Sequence, residues 1–143
     1  MKKIIVVLMV FAVLLVGCAT GETETAVNSS LIVGDKTYSV ADLEALPVSE
    51  AVFKDVTYNG VTLTALLEDA GFTLADLKAV KAVAADGYTV NYDLSQIEKP
   101  DVLVAYAQAD GPLTEEDGAF RMVLPEEEGK LNVRMLVEIQ VVQ

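Results

Sequence analysis

The 143-residue sequence contains no histidine and no tryptophan, and Cys18 is its single cysteine. These absences exclude several kinds of site within one chain. A Ser-His-Asp triad and a Cys-His nucleophile pair both require histidine, a disulfide requires two cysteines, and a Cys/His zinc site requires several such ligands. The chemistry of the chain therefore depends on carboxylates, hydroxyls, amides and a few basic groups.

Basic residues are also scarce. The chain has 10 Lys and Arg against 22 Asp and Glu, which gives a formal net charge of −12. A surface this acidic repels the phosphates of nucleic acids and the headgroups of anionic lipids, so we expect no nucleic-acid partner. The length and the 52% apolar content allow one domain with a core of ordinary size.

The amino-terminal segment has the pattern of an export signal. Lys2 and Lys3 precede an uninterrupted apolar run over residues 4–16. This run is shorter than the ~20 residues that span a bilayer and has the length of a signal-peptide core. It ends in Leu15-Val16-Gly17-Cys18, which resembles the lipobox of bacterial lipoproteins. The resemblance implies a signal peptide over residues 1–17 and acylation of Cys18; the alternative is a buried Cys18 in an ordinary core helix.

Acylation of Cys18 predicts a protein of the cell envelope. Each buried CH₂ contributes about 0.8 kcal/mol, and stable anchoring needs more than one chain. We therefore expect a bacterial membrane as partner through Cys18, with the protein facing outside the cytoplasm. Residues 18–30 are small, polar and acidic, which predicts a flexible spacer. The folded domain is expected over residues 31–143.

The pattern over residues 31–143 predicts a small mixed α+β domain of several short sheets with two or three short helices. Turn residues between β-rich runs predict hairpins at Gly34-Asp35 and at Asp86-Gly87. Leucines at helical spacing predict a helix over residues 63–70, with Thr62 as its N-cap and Gly71 as its stop. Further strands are expected over residues 52–58, 102–107, 120–124 and 133–142, with turns at Asn59-Gly60 and at residues 110–113.

Several short motifs follow one another in a distinctive order between residues 39 and 142. They are Tyr58-Asn59-Gly60-Val61-Thr62-Leu63, Ala85-Asp86-Gly87-Tyr88, Val102-Leu103-Val104-Ala105-Tyr106, Asp110-Gly111-Pro112-Leu113, then Gly118, Arg121, Val123 and Pro125, and finally Val133-Arg134 with Ile139. This order resembles the molybdopterin-binding domain of the sulfite-oxidase superfamily in its stand-alone form. The resemblance implies that fold and, in the family's enzymes, a pterin cofactor whose molybdenum is held by a Cys thiolate.

Two segments depart from the family pattern. The family's ligand Cys belongs to the segment before the Tyr-Asn-Gly-Val-like motif, and here residues 48–55 contain no Cys. Ser49 and Asp55 are hard donors and replace a soft thiolate poorly. The family's phosphate-approaching loop begins here with Glu126-Glu127-Glu128, and carboxylates oppose phosphate binding. The family thus implies molybdopterin, and both segments disfavour it.

Four residues are the candidate cofactor-binding residues: Asp86, Tyr88, Arg121 and Arg134. Tyr88 can stack on a ring and Asp86 can accept hydrogen bonds, although Asp86-Gly87 also suits a plain turn. Arg121 lies in an apolar strand and is expected to pair with a carboxylate such as Asp86 or Asp110. Arg134, with Lys130, supplies positive charge for a small anionic ligand.

No catalytic residue and no metal ligand is assigned. The acidic runs at residues 115–117 and 126–128 lack EF-hand spacing and are expected to be solvated loops. We expect a lipid-anchored binding or interaction module that takes a small anionic ligand or an envelope protein. The alternatives are a pterin-dependent oxidoreductase or electron-transfer component with a substituted metal ligand, and a structural envelope lipoprotein.

Overall fold

The computed structural model describes residues 29–143. The predicted signal peptide, Cys18 and the spacer up to residue 28 lie outside the described residues. The first strand begins at Ser30, one residue before the expected start of the domain. Between residues 29 and 143 no helix has the length and apolarity needed to cross a bilayer.

Ten strands and three short α-helices make up the described chain. The strands are β1 (Ser30–Val33), β2 (Lys36–Ser39), β3 (Ser49–Phe53), β4 (Val56–Thr62), β5 (Ala79–Ala84), β6 (Thr89–Asp93), β7 (Leu103–Gln108), β8 (Gly111–Pro112), β9 (Arg121–Val123) and β10 (Leu136–Val142). The helices are α1 (Val40–Glu44), α2 (Leu63–Asp69) and α3 (Leu94–Ile97), with 3₁₀ turns at Leu74–Asp76 and Gly129–Leu131. This is the mixed α+β domain of short elements that the sequence predicts.

The first sheet has five strands in the order β2-β1-β10-β5-β6. β1 and β10 are parallel, and the other pairs are antiparallel. Residues of β5 alternate between the core and the outer face, so Val80, Ala82 and Ala84 are buried while Lys81 points the other way. The predicted hairpin at Asp86-Gly87 joins β5 to β6 and ends at one edge of this sheet.

The second sheet has the order β3-β4-β7-β8, and β9 pairs with β7. Its two faces contribute to different apolar clusters. Val61 and Val104 belong to the main core that it shares with the first sheet. On its other face Tyr58, Leu103 and Ala105 belong to a second, smaller apolar cluster. β7 is therefore buried on both faces along its first half, as its continuous apolar run predicts.

α2 follows the predicted rules closely. Thr62 Oγ1 accepts a hydrogen bond from the backbone N–H of Ala65 at 3.2 Å and caps the first turn. Leu63, Leu66 and Leu67 are fully buried against the sheets. The helix ends before Gly71, whose φ of 95° lies in the left-handed region that suits the residue after a helix.

The predicted turn at Asn59-Gly60 is wrong. Both residues lie inside β4, and the hairpin turn is formed instead by Lys54 and Asp55, with φ of 49° and 65°. A Cβ on Gly60 would lie 2.2 Å from the carbonyl oxygen of Val104, so glycine here permits β7 to approach β4. The turn expected at residues 110–113 is shorter, since Gly111 and Pro112 form β8.

Candidate functional site

A pocket of about 320 Å³ lies at one end of the first sheet. It is bounded by the β5–β6 hairpin, the 3₁₀ turn Gly129–Leu131 and the segment that leads into β10. Its polar lining residues are Asp86, Tyr88, Glu116, Lys130, Asn132 and Arg134, and its apolar lining includes Ala84, Val133 and Met135. Three of the four predicted site residues, Asp86, Tyr88 and Arg134, therefore meet in one place.

The β5–β6 hairpin positions Asp86 and Tyr88. Asp86 Oδ1 accepts a hydrogen bond from the backbone N–H of Tyr88 at 2.9 Å, and Gly87 has a φ of 87°. Asp86 and Gly87 thus form the turn itself. The Tyr88 side chain is 48% exposed, and its hydroxyl donates to the carbonyl of Lys130 at 2.8 Å. Tyr88 forms a rim of the pocket and fastens the opposite wall.

The opposite wall, formed by the 3₁₀ turn Gly129–Leu131 and the residues beside it, is fixed by the hydrogen bonds of two buried polar side chains. Tyr92 donates its hydroxyl hydrogen to the carbonyl of Leu131 at 2.5 Å, and burial raises the pKa of Tyr92. Asn132 Oδ1 accepts from the N–H of Leu124 at 2.7 Å, and its Nδ2 donates to the carbonyls of Leu124 and Glu128. The Asn132 amide is thereby committed to fixing the loop.

Arg134 carries the positive charge at the other side of the pocket. Its side chain is 55% exposed, and its Nη1 lies 3.1 Å from Glu116 Oε2. Its Nε lies 3.9 Å from Asp117 Oδ1. Arg134 therefore faces the solvent and the pocket, with one exposed and one buried carboxylate beside it.

Arg121 lies in the core and does not line this pocket. Its Nη1 donates to Asp117 Oδ1 at 2.7 Å and to the hydroxyl of Tyr58 at 2.9 Å. Its guanidinium also stacks over the Tyr58 ring, 4.6 Å from the centroid. The expected partners Asp86 and Asp110 were wrong, because Asp117 neutralises Arg121. The role of Arg121 in binding a cofactor stays a prediction.

Asp117 is the functional residue that the sequence reasoning missed. The acidic run at residues 115–117 was expected to be solvated, yet Asp117 is only 4% exposed. It contacts both Arg121 and Arg134 and so joins the core to the pocket. The signal that could have found it is its spacing, since Asp117 and Arg121 are four residues apart and Arg121 needs a buried partner.

The loop over residues 126–128, called the acidic loop below, carries three carboxylates, and two of them turn away from the pocket. Lys99 Nζ lies 2.9 Å from Glu126 Oε2 and 3.8 Å from Glu127 Oε1, which draws both residues towards α3. Glu128 alone stays beside Lys130, at 2.8 Å, and this hydrogen bond lowers the pKa of Glu128. The acidic loop therefore opposes an anion in the pocket through one residue rather than three.

Met135 is a strained residue in the pocket wall. Its φ is 50°, which is unusual for a residue with a side chain. Its N–H donates to the carbonyl of Asp117, and its carbonyl accepts from the N–H of Ala85, both at 2.8 Å. Two fixed segments thus impose this conformation, as is common next to binding sites. No feature of the sequence predicts it.

Comparison with known proteins bears on this arrangement. Residues 17–143 match the family model described as "Oxidoreductase molybdopterin binding domain". The chain belongs to the oxidoreductase molybdopterin-binding domain family. It is also similar to the crystal structure of the sulfane dehydrogenase SoxCD from Paracoccus pantotrophus, with a TM-score of 0.68 and 19% identity. Comparison with curated proteins finds no match.

The likeness to SoxCD establishes the fold of this family member. It covers 80% of this chain and 38% of the SoxCD chain, so this protein spans well under half of that chain's length. The α+β fold predicted from the motif order is confirmed. Asp86, Tyr88 and Arg134, which the resemblance singled out, lie together on that fold.

Proposed function

We propose that the protein is a lipid-anchored, extracytoplasmic binding module whose pocket holds a small anionic ligand. The observation that carries the proposal is the meeting of Lys130, Arg134 and the exposed ring of Tyr88 at one pocket. Between residues 29 and 143 there are 20 acidic and only 8 basic side chains. Two of these few cations line the same pocket, whose lining carboxylates are Asp86 and Glu116, and this local concentration of cations favours an anion over a neutral ligand.

The metal half of the family's cofactor does not fit the residues present. The segment where the family carries its ligand Cys is β3 and the Lys54-Asp55 turn, which offer an ammonium and a carboxylate in place of a thiolate. We therefore propose that the scaffold lacks the metal ligand and binds without a metal–thiolate bond.

Metal analysis tests this part of the proposal. The full-length protein is produced in cells supplied with molybdate, purified in detergent, and assayed for molybdenum and for bound small molecules. We expect molybdenum far below one atom per chain, together with a co-purifying or exchangeable anion. A molybdenum content near one atom per chain would overturn it.

The envelope location is supported by the lipobox at residues 15–18. The expected result is incorporation of a labelled fatty acid into the wild-type protein and its recovery with the membranes. Cys18→Ser removes the acylation site and should abolish both. Labelling that persists in Cys18→Ser would show that the anchor is elsewhere.

A second candidate is a pterin-dependent oxidoreductase or electron-transfer component with a substituted metal ligand. The family match over residues 17–143 favours it, as does the dehydrogenase activity named for the similar SoxCD structure. An ultraviolet-visible spectrum and metal analysis of protein from the native host separate the two candidates. A coloured, metal-containing sample supports the oxidoreductase, and a colourless, metal-free sample supports the binding module.

A further inference from the structure

We infer that Lys54 is a third ligand-binding cation of this pocket, and that the ligand is a small oxyanion carrying at least two negative charges. This inference rests on the proposed binding function and adds to it a residue and a charge class. Lys54 stands in the segment that carries the metal-binding Cys elsewhere in the family.

The β3–β4 turn brings the Lys54 ammonium next to Gly129, a residue of the pocket wall, although Lys54 itself is not one of the residues that line the pocket. Lys54 is the first of two consecutive left-handed residues, with a φ of 49°. Gly129 lines the pocket, and a Cβ on Gly129 would lie 3.4 Å from Lys54 Nζ. Because glycine leaves that space open, the ammonium has room beside Gly129, while it also lies 5.4 Å from the centroid of the Phe53 ring. Lys130, in the same 3₁₀ turn as Gly129, and Arg134, on the segment that leads into β10, both line the pocket.

Lys54 has no carboxylate partner within the part of the chain that the structure describes. The ion pairs found there engage Lys36, Lys99, Arg121, Lys130 and Arg134. Acidic side chains far outnumber basic ones in this domain, and yet the Lys54 ammonium beside the pocket has no carboxylate partner. It is therefore available to bind an anionic ligand. Lys78 and Lys81 share this state, but Lys78 Nζ donates to the backbone oxygen of Gln143 and Lys81 lies on the outer face of the first sheet.

The other two cations are paired in a way that an anion can replace. Glu116 and Glu128, their partners, have side chains that are 83% and 74% exposed. Exposed pairs of this kind contribute little, so a multiply charged ligand can displace them. Asp86, on the hairpin side of the pocket, is a further carboxylate that opposes an anion. A singly charged ligand would gain too little from Lys54, Lys130 and Arg134 to overcome it.

The chemical contrast with the family's metal site is direct. A thiolate is a soft anionic donor that holds a metal cation. An ammonium is a compact cation with three donors that binds oxyanions. Lys54 therefore places positive charge at the segment where the family's enzymes place a thiolate, and the preferred partner changes from a metal to an oxyanion.

Calorimetric titration with pyrophosphate tests the inference. The full-length protein in detergent is titrated at constant ionic strength, as wild type, Lys54→Gln and Lys81→Gln. We expect Lys54→Gln to weaken pyrophosphate binding about tenfold, the loss typical of one charged hydrogen bond. Lys81→Gln removes the same charge away from the pocket and should leave the dissociation constant within about twofold.

Two further arms keep the inference separate from the proposed function. Lys54→Arg retains the charge and should restore most of the affinity, which also shows that the turn tolerates substitution. Acetate, a monoanion, should bind far more weakly than pyrophosphate. If Arg134→Gln abolishes binding while Lys54→Gln has no effect, the role of Lys54 is wrong and the binding function stands. If wild-type protein binds no anion, both fail, and equal affinity for acetate refutes the charge class.

Discussion

Asp117 is the residue on which both the core and the pocket depend. Its carboxylate neutralises Arg121, which is equally buried, and lies within 3.9 Å of the exposed Arg134. A buried ion pair contributes little net stability when complete, but removing one partner leaves a charge without compensation. Replacing Asp117 should therefore lower the free energy of unfolding substantially, whereas replacing an exposed neighbouring carboxylate should lower it little.

We expect Asp117→Asn to lower the free energy of unfolding by about 3 kcal/mol, because it leaves the guanidinium of Arg121 buried and uncompensated. Urea denaturation measures the change. Glu116→Gln is the matched control, since it removes an exposed carboxylate one position earlier and should change stability little. If the two substitutions lowered the free energy of unfolding equally, the buried Arg121–Asp117 pair would contribute no more to stability than an exposed carboxylate does.

A second charged cluster gives the domain a defined response to acid. Asp69 Oδ2 accepts hydrogen bonds from Lys36 Nζ at 2.5 Å and from the Tyr38 hydroxyl at 2.7 Å. These bonds hold the pKa of Asp69 below its usual value of 3.8, and the bond from Lys36 has the larger effect. Because the pKa is lower in the folded state, the stabilisation is present above pH ~4 and is lost as the pH falls through the folded-state pKa.

Asp69→Asn should lower the melting temperature by about 3 °C at neutral pH. Below the folded-state pKa the wild type loses the same charge, so the difference between the two proteins should shrink there. Thermal melts of both proteins from pH 7 down to acid conditions measure the difference. Asp76→Asn, at an exposed position in the 3₁₀ turn Leu74–Asp76, is the control. A difference that is constant with pH would contradict the assignment.

At the scale of elements, the sequence predicts correctly those features that a few adjacent residues determine. The ends of α2 were predicted correctly from Thr62 and Gly71. N-capping and a glycine in the left-handed region after the helix depend only on a few adjacent residues. Asn59-Gly60 was misread because its glycine serves the contact of β4 with β7, a contact distant in sequence. The hairpin turn at Lys54-Asp55 carries neither Asn nor Gly, and Asp55 is the one residue in it that favours a turn, so the sequence signal is weak.

Gly60 offers a test of that explanation. A Cβ there would lie 2.2 Å from the Val104 oxygen and 2.7 Å from the Ala105 Cα, both backbone atoms that cannot turn aside. Gly60→Ala should therefore cost about 3 kcal/mol of unfolding free energy, measured by urea denaturation. Gly111→Ala is the control, because no atom lies within 4 Å of a Cβ at that position. A mild effect at Gly60 would mean that the strands can separate without loss.

The candidate site was predictable to a similar extent. The motif order identified the fold and singled out Asp86, Tyr88 and Arg134, which share one pocket. The pairing of Arg121 with Asp117 was not found, because a run of three acidic residues favours a solvated loop. The strain at Met135 is set by hydrogen bonds to two segments far away in the chain. Such features arise from tertiary contacts and have no local pattern.

The whole molecule is dominated by negative charge. Residues 29–143 carry 20 acidic and 8 basic side chains, and five of those basic side chains already pair with carboxylates. The excess carboxylates are spread over one small domain whose two sheets share a core. Their mutual repulsion opposes the compact state and acts over distances that salt controls.

Raising NaCl from ~0.01 M to ~1 M shortens the screening length from about 30 Å to about 3 Å. We expect the melting temperature to rise by several degrees, because the long-range repulsion is screened more than the few short ion pairs are. A variant combining Glu50→Gln, Asp76→Asn and Glu98→Gln removes three exposed carboxylates and should melt higher at low salt, with a weaker salt response. A melting temperature that falls with salt would mean that the local ion pairs outweigh the net charge, and the stability of the domain would then depend on clusters such as that of Lys36 and Asp69.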